Sequence, residues 1–558
     1  MKWQPFPGCH YLLTLYTMKK LFGILLALIA TSTGIVRAQE LNIKIKSNYL
    51  NLPVSASSER KAMSLVSKGM EPYSFNIRLA PAEADYWVFC DVSGYKGKTL
   101  KILYTGNPAG LKNIYQSDKI AGQDSLYRES FRPQQHFTFR RGWNNDPNGL
   151  SWFDGEYHLF GQHNPFEADW ENMHWGHAVS TDLIHWTELP EALRPDETGS
   201  MFSGTVVVDY DNDAGFNKDG KVAMIAFYTA DSPTKQVQCI AYSLDRGRSW
   251  TKYAGNPVID SCAEWSSKDT RDPKVFKYKD RWVLALSERD GISIYNSKDL
   301  KNWTRTSHIT GFWECPDLFE LPVGNTTKWV LFGASGAYLI GDFDGATFTP
   351  EEGKHLCVTG TVYASQTFNC LPDGRRILVG WEPIQHQGMP FKGQMSLPME
   401  LSLKQTSRGI RMYANPVKEA ESLQTKLFEA DNLSASQAED ALNKYGQDSG
   451  LLIKGTMHMI YSTAAGLSLN GQNIVDYNMS APVLNGVYYS PDSMTGMDLD
   501  FDLIIDKTSV EAFFDGGALV NVMGRNVQSL SKDAFRFFGT GLQIPHLEIY
   551  TLDSIWDQ

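Results

Sequence analysis

The sequence predicts an all-β fold: a small N-terminal β domain, a five-bladed β-propeller and a C-terminal β-sandwich. Three observations carry that expectation. A turn followed by a short apolar strand occurs five times between residues 154 and 379, at blade-sized intervals. A Ser-x-Asp motif that ends in Trp recurs between some of these strands. After residue 445 the chain returns to strand-like alternation and closes with a hairpin.

The start of the chain reads as an export signal. Met18-Lys19-Lys20 is basic, residues 21–30 are apolar, and Val36-Arg37-Ala38 offers small residues for cleavage before Gln39. Residues 1–38 are therefore expected to be leader and signal peptide, with Met18 as a plausible start. Ten apolar residues are too few to span a bilayer. The mature protein is expected to be exported, periplasmic or extracellular, with no membrane insertion.

Residues 39–125 contain short alternating stretches at Leu41, Tyr86 and Thr99, and read as an all-β accessory domain without a chemically suggestive cluster. Residues 126–414 hold the repeats. The turn-and-strand units begin at Asp154-Gly155, Asp219-Gly220, Lys279-Asp280, Thr327-Lys328 and Asp373-Gly374, and the Trp motif runs from Ser180 to Trp186, Ser243 to Trp250 and Ser297 to Trp303. A propeller gathers residues far apart in sequence into one central funnel. Residues 415–445, rich in Ala, Glu and Lys, are expected to form a helical linker. Residues 446–558 read as the sandwich, with a turn at Asp515-Gly516-Gly517.

Charge narrows the partners. With 52 Lys and Arg against 63 Asp and Glu and no basic run, the chain lacks a nucleic-acid footprint. A neutral polysaccharide suits this balance. The abundant aromatics fit either a β core or sugar stacking. Six cysteines follow the leader without metal spacing; Cys357 and Cys370 are the nearest pair in sequence. His163, His174 and His177 lie close along the chain, but no Cys or carboxylate completes a tetrahedral set, so no metal is expected.

Three acidic motifs stand inside the propeller region: Trp143-Asn144-Asn145-Asp146-Pro147-Asn148-Gly149, Thr270-Arg271-Asp272-Pro273 and Trp313-Glu314-Cys315-Pro316-Asp317. Singly, the first is a good β-turn, the second a pre-proline turn, and the third an acid in an apolar setting, which suits a general acid. In this order they resemble glycoside hydrolase family 32, the β-fructofuranosidases, of gut-bacterial type. Met201-Phe202-Ser203-Gly204-Thr205, Gly161-Gln162, Asn164-Pro165 and Gly393-Gln394-Met395-Ser396-Leu397-Pro398 are similar to further family segments, as is Ile505 to Phe513 in the sandwich. The resemblance runs from about His136 to the C-terminus.

The resemblance implies a retaining β-fructosidase on a five-bladed propeller, acting on fructan or sucrose without cofactor or metal. Asp146 would be the nucleophile, Glu314 the acid and base, and Asp272 a transition-state stabiliser holding fructose hydroxyls. Substrate contacts would fall on Asn145, Gln162, Trp170, Phe202, Ser203, Arg271 and Trp381, with the aromatics as walls or as core packing. Intact motifs imply exo action. An endo-acting levanase or inulinase, a fructosyltransferase and a fructan-binding protein on the same scaffold are the alternatives. Asn144, Thr361 and Phe391 depart from the usual pattern, which bears on linkage preference rather than on the acids.

Overall fold

The structure is a computed structural model that describes residues 38–446, 450–460, 462–489, 497–525 and 533–556. Apart from Ala38, the expected leader lies outside the described residues. Seven strands from Gln39 to Ser117 form two small sheets, one of four strands and one of three, over a shared core that includes Leu50, Leu52, Met63, Leu65 and Ile102. Their period-two burial follows the alternation read from the sequence.

Five antiparallel sheets then follow as propeller blades. Their first strands, Gly142–Phe153, Ser200–Asp209, Thr270–Tyr278, Asp317–Val323 and Tyr363–Thr367, are innermost. The five turn-and-strand units supply the second strand of each blade: Glu156–Asn164, Ala223–Asp231, Arg281–Glu288, Thr326–Phe332 and Ile377–Glu382. The Trp repeat forms the turn between third and fourth strands of the first three blades. Each serine hydroxyl donates to the aspartate two residues on (2.9, 2.8 and 3.1 Å). Each indole donates back to a turn carbonyl, of Leu183, Gly247 or Leu300. The repeat is a fastener, and it carries no chemistry.

The first and fifth blades close the ring. Phe391–Lys392 pairs in parallel with Gly142 and Trp143, and Ser151 bridges Asn369. Gly393 sits at this seam with φ +77, and a Cβ there would lie 2.1 Å from the Asn144 carbonyl, so only glycine fits. Inside the ring a polar plug fills the channel. Lys274 donates to the Thr367 carbonyl (2.6 Å) and pairs with Asp317 (3.1 Å), while Asn369 donates to the carbonyls of Val206 and Val275. A cavity adjoins the plug at Asn369, lined in part by Tyr210, Trp282, Phe319 and Trp329.

The sandwich packs a seven-stranded sheet on a five-stranded one around Leu451, Ile453, Leu467, Phe501 and Phe514. Its composition corrects the expected helical linker. Residues Gln424–Ser434 form an outer strand paired with Leu542–Leu552; only Lys418–Leu423 and Ala435–Tyr445 are helical. Long-range pairing overrides the helix preference of Ala, Glu and Lys, and the charges lie along the exposed sheet edge. The other edge strand, Val358–Gly360, comes from between the fourth and fifth blades and pairs in parallel with Leu519–Gly524. The six cysteines of the described residues are all free thiols, Cys357 and Cys370 included.

Propeller and sandwich are also clasped by buried charge. His136 Nδ1 bonds Asp506 (2.8 Å), and Asp506 accepts from the amides of Gln134, Gln135 and Lys507. His136 Nε2 faces Glu511 at 3.5 Å, beside Glu382, which accepts from Gln394 (2.7 Å). Burial alone would lower the His136 pKa, but Glu382, Asp506 and Glu511 outweigh it and raise it well above the usual value. Burial would raise Asp506, but its bonds to His136 and the amides leave it lowered. Burial raises Glu382. The Asp506 contribution is present above its unfolded pKa and lost as pH falls through the folded one. Those of His136 and Glu382 are lost as pH rises through theirs. Either Asp506→Asn or His136→Gln should destabilise the chain by about 3–5 kcal/mol at neutral pH. The double variant should lose much less than the sum, and additive losses in thermal unfolding would show that the two residues do not act as a pair.

Candidate active site

Four of the five innermost strands lose their regular register near one mouth of the ring. The shifts fall between Asn144 and Pro147, Phe202 and Gly204, Arg271 and Lys274, and Tyr363 and Gln366. A bulge re-aims side chains that a regular strand would alternate. Asp146, Ser203 and Asp272 lie inside these shifts. On the fourth blade the same end is served by the segment before Asp317, where Glu314 and Cys315 have φ of +46 and +41. Asp272 is also left-handed, at φ +64. Such backbone costs about 1–3 kcal/mol per residue and persists only when its surroundings hold it. Here Cys315 N donates to Asp272, Glu314 N to the Ser287 hydroxyl and Asp272 N to the Thr229 hydroxyl, each at 3.0 Å. Gly204 is required beside Ser203, because a Cβ would meet the Phe227 carbonyl at 1.9 Å.

The bulges and the left-handed segment before Asp317 bring all three sequence-predicted acids together. Asp146 accepts from Ser203 Oγ (2.9 Å) and Asn145 Nδ2 (3.2 Å). The Cys315 thiol lies 3.6 Å from both Asp146 and Asp272, which share its one proton. Arg271 ties Asp272 to Glu314: its Nη2 is 2.8 Å from Glu314 Oε1 and its Nε 3.9 Å from Asp272. Tyr363 donates its hydroxyl to Glu314 Oε2 (2.7 Å).

Burial raises Asp146, the hydrogen bonds from Ser203, Asn145 and Cys315 oppose this, and the charge of Glu314 adds to it; the net shift is upward. Burial pushes Asp272 up to about 7, against Arg271 and with help from Glu314 and Asp146. The Cys315 thiol, buried among three carboxylates, is raised well above its usual range and stays a donor. Tyr363 is raised by burial and by Glu314, and likewise keeps its proton.

The apolar setting expected for Glu314 is not found. Its side chain is 35% exposed and bonded to a guanidinium and a phenol. The left-handed backbone at Glu314 and Cys315 splits the neighbours: Trp313 turns to solvent, 62% exposed, and Cys315 turns to the other acids.

The remaining predicted residues fall into two groups. Asn145, Ser203 and Arg271 touch the acids directly. Trp170 is 52% exposed and meets Phe202 edge to face at 6.3 Å, so it is no core residue. Trp381 packs against Trp143, whose indole bonds Asn145. Gln162 is buried and donates to the Met201 carbonyl, bracing the strand that carries Phe202 and Ser203. Sequence reasoning missed Cys315 and Tyr363 as site residues. Cys315 stood in a quoted motif, but no pattern announces a thiol that bridges two acids; Tyr363 lay beside the noted departure at Thr361.

Metal-type donors meet elsewhere. Among the described residues, His136, Glu382 and Glu511 cluster in the interdomain clasp, and Glu429, His546 and Glu548 on the outer sandwich strands. His163, His174 and His177 have separate partners, respectively the Arg141 carbonyl, Tyr73 and His158.

Comparison with known proteins places this arrangement. Residues 136–416 match the glycosyl hydrolases family 32 N-terminal domain, and residues 38–135 match a domain of unknown function (DUF4980). A levanase of Bacillus subtilis (strain 168) is 36% identical over 494 residues, 78% of this chain and 72% of that protein. The extracellular exo-inulinase of Aspergillus ficuum is 31% identical, covering 77% of this chain and 96% of its own. The crystal structure of exo-inulinase from Aspergillus awamori superposes with a TM-score of 0.67 at 28% identity, over 77% of this chain and all of that one. From its acid-bearing propeller through its sandwich, this chain belongs to glycosyl hydrolase family 32.

Proposed function

We propose that the protein is a retaining exo-β-D-fructosidase that releases fructose from the non-reducing ends of levan, inulin or sucrose. The observation that carries the reading is the gathering of Asp146, Asp272 and Glu314 around Cys315 and Arg271 at one mouth of the propeller. The relatives named levanase and exo-inulinase give the substrate class.

Asp146 attacks the anomeric carbon of the terminal fructose while Glu314 gives its proton to the departing oxygen, which takes the bonding electron pair. Water then attacks the fructosyl–Asp146 ester, and Glu314 takes the water proton as Asp146 leaves. Ser203 and Asn145 favour the ionised form of Asp146, as a nucleophile needs. Arg271 and Tyr363 orient Glu314. Asp272 holds fructose hydroxyls and, with a pKa near neutrality, can accept or donate there. Carboxylates carry both steps, so the reading calls for no cofactor or metal. Trp170, Phe202 and Trp381 provide faces for sugar C–H groups.

Exo action is read from the intact Trp143–Gly149 and Trp313–Asp317 motifs, and the relative named exo-inulinase supports it. We also infer from residues 18–38 that the enzyme is exported, to the periplasm or beyond. No helix among the described residues is long and apolar enough to cross a membrane.

Incubation with levan, inulin and sucrose, resolved over time by anion-exchange chromatography, should give free fructose from the earliest point. An oligosaccharide ladder would make the enzyme endo-acting, and no product from any of them would point instead to a fructan-binding protein. Ser203→Ala removes a bond that lowers the Asp146 pKa. The acid limb of kcat/KM should therefore move to higher pH, with a fall of roughly ten- to a hundredfold. A limb that stays fixed would take the nucleophile role from Asp146.

A further inference from the structure

The N-terminal module, which matches a domain of unknown function, grips one short segment of the propeller. That segment, residues 165–173, joins the second and third strands of the first blade. Phe166 lies in the module's own core, its ring stacked on Phe75 at 3.6 Å. Glu167 is fully buried, with Arg60 (2.6 Å) and Arg78 (3.1 Å) as its countercharges, both from the module. Ala168 N donates to the Tyr86 hydroxyl (3.1 Å), and Asp169 pairs with Arg78 (2.6 Å). Glu171 pairs with Arg60, and Asn172 exchanges two hydrogen bonds with the Asn76 backbone (2.8 and 2.9 Å).

Trp170 is the exception in this run. It turns away to meet Phe202, next to the Ser203 that bonds Asp146. Every neighbour of Trp170 from 166 to 172 is thus held by the module while Trp170 faces the site. A carboxylate as buried as Glu167 is stable only beside its cations, so the docked module holds this path together with the propeller's own Asn164, which bonds Phe166, Asp169 and Asn172, and Lys392, which pairs with Asp169 (2.7 Å).

We propose that the N-terminal module is a positioning device for the active site: it fixes residues 165–173 so that Trp170 forms the wall against which the sugar is held. The inference rests on the fructosidase reading for its substrate. It makes Arg60 and Arg78 positioning residues that act on binding through Trp170. A displaced wall weakens binding of the ground state and the transition state alike, and such a loss appears in KM with kcat unchanged.

The test uses the full chain carrying Arg60→Ala with Arg78→Ala. KM for the substrate cleaved should rise about tenfold with kcat within about twofold, and Arg60→Lys with Arg78→Lys should recover much of the loss. In a Trp170→Ala background the arginine changes should add almost nothing further to KM, because the two act on one wall. Hydrogen exchange should quicken at residues 166–172 and not along Gly142–Phe153. Unchanged KM and exchange, even with a lower Tm, would overturn the proposal and leave the module a general brace. Additive effects in the Trp170→Ala background would overturn it too. If the double variant fails to fold, Tyr86→Phe, which removes one hydroxyl acceptor, should produce the same pattern in smaller measure, and no change would count against the proposal. If the wild type releases no fructose, the fructosidase reading falls, and exchange at 166–172 alone decides the positioning.

Discussion

Three carboxylates gathered at one site, Asp272 buried, Asp146 largely buried and Glu314 partly exposed, repel one another, and the architecture around the site is organised against that repulsion. Among the described residues Arg271 is the one cation paired with them, bonded to Glu314 and close to Asp272. It cannot reach every lone pair. The rest are met by neutral donors: the thiol and amide of Cys315, the hydroxyls of Ser203 and Tyr363, and the amide of Asn145. Neutral donors let Asp272 retain a raised pKa near 7, where more cations would hold it ionised. Left-handed turns and bulges are what put these donors in place, so the strained backbone and the electrostatics are one arrangement.

Much of this was legible in the sequence because a propeller is written in repeats. The five turn-and-strand units, three of them Asp-Gly, indicated the five blades, since each became a second strand, and the Ser-x-Asp to Trp repeat proved to be a turn with a defined bond pattern. The three acids were legible because each sits in a short motif whose order along the chain is distinctive. What stayed hidden depends on distance. Gln424–Ser434 has the composition of a helix and became a strand because Leu542–Leu552, more than a hundred residues on, offered it an edge. The surroundings of Glu314 were misjudged because neighbours in sequence are not neighbours in space once φ turns positive at Glu314 and Cys315.

The same contrast applies to the N-terminal module. Nothing in residues 39–125 suggests chemistry, and within the chain they form only a small pair of sheets. Their significance appears at the interface, where Arg60 and Arg78 complete the burial of a propeller glutamate. A residue whose only work is to neutralise a charge on another domain leaves no local motif.

The strand Val358–Gly360 carries a different lesson. It belongs by sequence to the propeller and by hydrogen bonding to the sandwich. A cut at any point along the polypeptide that assigns the blades to one piece and the sandwich to the other leaves the second piece without a member of its own sheet. The two are therefore a single heritable unit: gene rearrangements that shuffle domains at linkers could move them together, but could not exchange one for a foreign counterpart without also supplying this strand.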